Sequence, residues 1–157
     1  MKILLPIDES TFSQDAIRTV IKQYQRRGTE VRVLHVIQPV SAYISADLMP
    51  HFVEHIGTIE QDRNRQGQKV VLRAAHKLRA AGFRTSAVVV TGDPATEIVE
   101  RAKRWRADVI VIASYDLHGL NRLLVGSVSE SVARHADCSV QIVRSRKSPG
   151  RGNAQKS

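Results

Sequence analysis

Hydrophobic positions along the chain fall into alternating short runs and longer stripes. "KILLPID" (2–8) is nearly continuous in its apolar character, as a strand buried on both faces would be. "EVRVLHVI" (30–37), "RTSAVVVT" (84–91), "DVIVIA" (108–113) and "SVQIVR" (139–144) read as four further strands. Between them the period changes from two to about 3.6. Ala16, Ile17, Val20, Ile21 and Tyr24 make one stripe of a helix over 13–27, with Ser13 as its N-cap and Gly28 as its stop. Val70, Val71, Ala74, Ala75 and Leu78 mark a helix over 59–81 that Gly82 ends. Asp93-Pro94 is a cap followed by proline at the first helical position, and Ile98, Val99 and Ala102 continue that helix. Residues 127–135 form the last helix. The stretch 40–58 resists assignment: it holds at most a short helix, which Pro50 and Gly57 interrupt, and it reads as an insertion that serves as a lid or a partner surface.

Strand and helix alternating five times predict an α/β fold: one open five-stranded parallel sheet with helices on both faces. A chain of 157 residues suits one such domain. Aromatics make up only 4% against 42% hydrophobic residues, so the core should be aliphatic. No apolar run reaches the roughly 20 residues of a membrane helix. The apolar N-terminus is too short for a signal peptide and ends in a charge, and the one cysteine, Cys138, cannot form an internal disulfide. These features point to a cytoplasmic protein. The net charge of +9 is uneven: "SRKSPGRGNAQKS" carries +4 and no acid. Residues 1–146 are therefore read as the folded domain and 147–157 as a disordered basic tail. The seven aromatics do not interleave with the basic residues, which argues against a nucleic-acid platform.

In open parallel sheets, ligands sit beyond the carboxyl ends of the strands, where the strand order reverses. Asp8, Glu9 and Ser10 follow the first strand, and Val36 and Ile37 end the second. Neither a Gly-x-Gly-x-x-Gly fingerprint nor a Walker-type Gly-Lys-Ser/Thr is present. The strongest local signal is Gly126-Ser127-Val128-Ser129-Glu130. Ser127 and Glu130 fit a Ser-x-x-Glu capping box, and Gly126 allows close backbone approach. The N–H groups of Val128, Ser129 and Glu130 would then meet an anion at the positive end of the helix dipole. The same residues also fit a helix that is merely well capped.

"HFVEH" (51–55) matches the His-x-x-Glu-His pattern of a zinc peptidase, but it lies in an interrupted segment with no third ligand downstream, and a polar helical face explains it better. His35 reads as a strand residue with a local partner and His135 as a helix-end residue beside the negative dipole. Cys138 reads as packing at a strand entry.

Four segments in order resemble the universal stress protein family: "KILLPIDES", "VRVLHVI", "GDPATEIVERAKRWRADVIVIAS" and "HGLNRLLVGSVSESVARHADCSVQIVR". The resemblance implies a Rossmann-like sheet of order 3-2-1-4-5, related to the adenine nucleotide alpha-hydrolase fold, usually in a homodimer. It places Pro6 and Ile7 at an adenine pocket. Asp8 and the backbone of Val36 would hold the adenosine. Gly126, Ser127, Val128 and Ser129 would hold the phosphates. ATP-binding members carry Gly-x2-Gly-x9-Gly-Ser/Thr; here the first two glycines are replaced by Ala113 and Asp116, and only Gly126-Ser127 remains. Two unit charges about 5 Å apart at an effective dielectric near 20 repel by roughly 3 kcal/mol. Asp116 would thus weaken ATP, unless Mg²⁺, Arg122 or His118 offsets its charge. The implied function is a stress-response module that binds ATP weakly between strands one and four. A homodimer is expected through the edge strand 139–144, at Val140, Ile142 and Val143. Two alternatives stay open: a nucleotide-independent dimeric interaction module and a slow ATPase.

Overall fold

The computed structural model describes residues 1–39, 49–114 and 126–144, with the backbone alone for 49–55. The order of elements is β1 (Lys2–Pro6), α1 (Thr11–Gln23), β2 (Glu30–Ile37), α2 (Met49–Ala80), β3 (Arg84–Thr91), α3 (Pro94–Trp105), β4 (Val109–Ser114), α4 (Ser127–His135) and β5 (Ser139–Arg144). All strand pairs are parallel and the sheet order is β3-β2-β1-β4-β5. The expected α/β architecture and strand order are therefore present. The tail 147–157 lies outside the described residues, as do Asp116, His118 and Arg122.

Period-two alternation along the central strands builds two cores. Ile3, Leu5, Val109 and Val111 point to the face covered by α1 and α2, where they meet Ile17, Val20, Val71 and Leu78. Leu4, Leu34, Ile110 and Ile112 point to the other face, where they meet Ile98 and Ala102 of α3 and Val132 of α4. Leu4, Leu5, Leu34 and Ile110 are all at most 1% exposed. Each such side chain contributes about 1.5–3 kcal/mol of burial.

Three helix boundaries differ from the sequence expectation. The N-cap of α1 is Ser10, in extended backbone with its side chain accepting from the Ser13 N–H; Ser13 is a buried first-turn residue. The helix ends at Gln23, and Gly28 instead makes the positive-φ turn into β2. The third difference is the largest. Helix α2 runs unbroken from Met49 through Pro50 and Gly57 to Ala80. Proline in the first helical turn loses no intrahelical bond, and a single glycine costs only about 1 kcal/mol. The "HFVEH" motif thus lies within a continuous helix, with its side chains outside the described residues. Among the described residues, no group of three His, Cys, Asp or Glu could hold a metal, and no helix is long and apolar enough to cross a membrane.

Candidate functional site at the switch point

Strands β1 and β4 are neighbours, and the chain leaves them toward opposite faces: α1 packs on one core and α4 on the other. A cavity of about 310 Å³ opens at their carboxyl ends. That volume is at the lower end of ligand sites in general. Pro6, Ile7, Asp8, Val36, Ala113, Gly126, Ser127, Val128 and Ser129 all line it. Of the predicted site residues, only Asp116 is outside the described part of the chain. Ser13, Leu34, Pro94, Ile98 and Ile112 complete the wall and were not anticipated. Leu34, Ile98 and Ile112 bring apolar surface to the lining, and Asp8 and Ser127 bring polar side chains.

Asp8 is held by the start of α1. Its Oδ1 accepts from the Ser10 N–H (3.0 Å), from the Ser10 hydroxyl and from the Ser13 hydroxyl (2.6 Å). The Ser13 oxygen in turn accepts from the Asp8 N–H (2.8 Å). This reciprocal pair fixes the carboxylate before any ligand arrives.

The start of α4 departs from the expected capping box. Gly126 is the N-cap, with no side-chain hydrogen bond, and Ser127 is the first helical residue. Glu130 reaches forward to Arg134 (2.8 Å) instead of back to the cap. The Gly126 carbonyl accepts both the Glu130 N–H and the Ser129 hydroxyl, each at 2.9 Å. The first intrahelical N–H is therefore that of Glu130. The donors left without an intrahelical acceptor shift back by one, to Ser127, Val128 and Ser129. All three residues line the cavity. Ser114, buried at the end of β4, accepts the Gly126 N–H (3.1 Å) and so ties this helix start to the sheet. Its only sequence signal is a serine closing an otherwise apolar strand.

Other residues considered from the sequence lie apart or play supporting parts. Nδ1 of His35 sits 2.8 Å from the Ile7 carbonyl, the local partner expected for it. His135 bonds the Ser131 carbonyl at the end of α4. Cys138 packs against the α3–α4 core; burial, with Asp137 and Asp108 nearby, pushes its thiol up, which disfavours the reactive thiolate.

The model of the universal stress protein family matches residues 1–144. Universal stress protein YxiE of Bacillus subtilis is 29% identical over 148 residues, covering 91% of this chain and 98% of the relative. Among solved structures, protein MJ0577 of Methanocaldococcus jannaschii superposes with a TM-score of 0.77 at 26% identity, covering 94% of this chain and 97% of the other. A universal stress protein family member from Arabidopsis thaliana, solved with AMP bound, has a TM-score of 0.67 at 20% identity, covering 98% and 97%.

Proposed function

The chain belongs to the universal stress protein family, and on that premise we propose that it is a stress-response module whose switch-point cavity takes an adenine nucleotide. The carrying observation is convergence: a pre-oriented carboxylate from β1 and an open helix N-terminus from α4 face one cavity. The apolar wall takes the base, with Pro6, Ile7 and Val36 at its edge. Asp8 accepts from ribose hydroxyls. The N–H groups of Ser127, Val128 and Ser129 donate to phosphate oxygens. The fold neighbour with AMP bound supports this reading. The nucleotide proposed is ATP, bound weakly because Asp116 replaces a glycine of the phosphate-binding motif with a carboxylate, and assisted by Mg²⁺.

Calorimetry with ATP, with and without Mg²⁺, on wild type, Asp8→Ala and Asp116→Gly tests the proposal. Wild type should bind weakly and better with Mg²⁺. Asp116→Gly should tighten ATP by about a hundredfold, the equivalent of roughly 3 kcal/mol of removed repulsion. Asp8→Ala should abolish binding. Tight metal-free binding by wild type would overturn the electrostatic argument, and an Asp116→Gly variant that binds nothing would leave α4 as an ordinary helix start.

Assembly is the second part of the proposal. β5 ends the sheet, and Val140, Ile142 and Val143 remain only partly buried along it. An unpaired apolar edge invites pairing, and a second copy of this chain would cover it. Sedimentation should show a dimer at micromolar concentration; a monomer would count against it.

A further inference from the structure

The ladder between β1 and β2 stops one bond early. Its last pair is Pro6 with Leu34, closed by the Ile7 N–H donating to the Leu34 carbonyl at 2.9 Å. Parallel strands alternate the neighbour to which successive residues bond. Leu34 serves β1, so the peptide groups of Val36 are on the β1 side as well. A continued ladder would run from the Val36 N–H to the Ile7 carbonyl. No such bond is made. The Ile7 carbonyl instead meets Nδ1 of His35 at 2.8 Å. A carbonyl only accepts, so Nδ1 carries the hydrogen.

We propose that His35 is a positioning residue that takes the place of a ladder donor and so keeps the Val36 N–H available to a ligand in the cavity. Val36 and Ile7 both line that cavity, whereas His35 does not. The imidazole is held from behind. A Cβ on Gly67 of α2 would stand 2.8 Å from His35 Cδ2 and 3.2 Å from Val89, so the glycine supplies the space that the ring fills. Helix α2, remote from the cavity lining, is in this way coupled to the donor at the end of β2. The ligand class rests on the reading above: a nitrogen heterocycle whose edge acceptor meets the Val36 N–H.

Two readouts test this. The first, hydrogen exchange of the Val36 amide followed by NMR, requires no ligand. That amide should exchange readily in wild type. In His35→Phe it should turn to the Ile7 carbonyl and exchange about tenfold more slowly, while AMP affinity falls about tenfold, one hydrogen bond's worth. His35→Asn, which keeps an N–H near the position of Nδ1, should retain the wild-type behaviour in both. Gly67→Ala, by displacing the ring, should move both readouts in the direction of His35→Phe and serves if that variant does not fold. A Val36 amide already protected in wild type, or unchanged exchange and affinity in His35→Phe and Gly67→Ala, overturns the proposal. If wild type binds no AMP, the nucleotide reading fails, and the exchange comparison alone decides the role of His35.

Discussion

Helices α3 and α4 both begin at the cavity, yet their first turns are built in opposite ways. Asp93 caps α3: its carboxylate accepts the Thr96 N–H at 2.9 Å and the Thr96 hydroxyl at 2.7 Å. Pro94 occupies the first helical position, where it brings no N–H at all. That start is closed by its own chain and carries a negative charge. Gly126 caps α4 without a side chain, and Ser129 turns its hydroxyl back to the Gly126 carbonyl. Among the described residues, the first three N–H groups of α4 therefore have no acceptor. Two helix dipoles of the same sign thus leave one open set of donors, because a helix start can serve an anion only where its own sequence leaves its N–H groups unused.

The strongest way to break the contrast is to give α4 the cap that α3 has. Gly126 has φ −56° and ψ 147°, an extended conformation open to any residue. Gly126→Asp should accept the first-turn N–H groups and bring a full negative charge to the phosphate position. Nucleotide affinity should fall about a hundredfold or more by the repulsion estimate. The melting temperature should hold, since a new N-cap stabilises a helix by about 1 kcal/mol. Equal ATP affinity in titrations of variant and wild type would show that the open start of α4 is not where phosphate binds.

Opening α3 should have a smaller and different effect. Asp93→Ala removes the cap and should cost about 1 kcal/mol of stability, read from denaturant midpoints. It should create a poorer anion site than that proposed at α4, because only the Ala95 and Thr96 N–H groups are released and Pro94 still lacks a donor. The Thr96 N–H and then the Thr96 hydroxyl hold the Asp93 carboxyl below the usual carboxylate range. A depressed folded-state value means stability that is present above the ordinary value and lost as pH falls through the lower one. The gap between wild type and Asp93→Ala should therefore be full at neutral pH and close in acid. A gap that persists unchanged at low pH would assign the loss to something other than the carboxylate.

The same contrast marks what could be read from the sequence. Asp93-Pro94 is a local signal, and α3 starts where it indicates. Strands β2, β3 and β5 also fall where their apolar runs place them. Elsewhere, residues of one type competed for one role. Ser10 and Ser13 both precede the stripe of α1, and only the fold shows that Asp8 recruits both hydroxyls while Ser10 makes the cap. Ser127 and Glu130 have capping-box spacing, but Gly126 anchored to Ser114 sets the start one residue earlier. Pro50 and Gly57 look like breaks, yet α2 passes through both. The end of α3 had no glycine to announce it; Arg106 takes the left-handed conformation there at φ 55°. Asp8 and Val36 stand at the strand ends that the switch-point rule singles out, whereas Pro6 and Ile7, and the pairing of all four with Gly126, come from the family resemblance. Ser114, Ile98 and Ile112 join them through tertiary packing that no local pattern encodes.

The finest distinction concerns Ser129, which the resemblance places among the phosphate ligands. It is only 2% exposed, and its hydroxyl already donates to the Gly126 carbonyl. Its hydroxyl is thus a brace for the helix start, and the group left to serve a proposed anion is the backbone N–H. Ser129→Ala keeps that N–H. The Gly126 carbonyl would still accept the Glu130 N–H at 2.9 Å, so no buried acceptor is orphaned. Stability should fall by only about 0.5 kcal/mol, the low end for a lost hydrogen bond, and ATP affinity should stay within about threefold. Chemical denaturation and titration on the same preparation separate the two. An affinity loss that exceeds the stability loss would show that the hydroxyl swings away from Gly126 to meet the ligand. The open start of α4 would then include a side-chain donor as well as its three backbone groups.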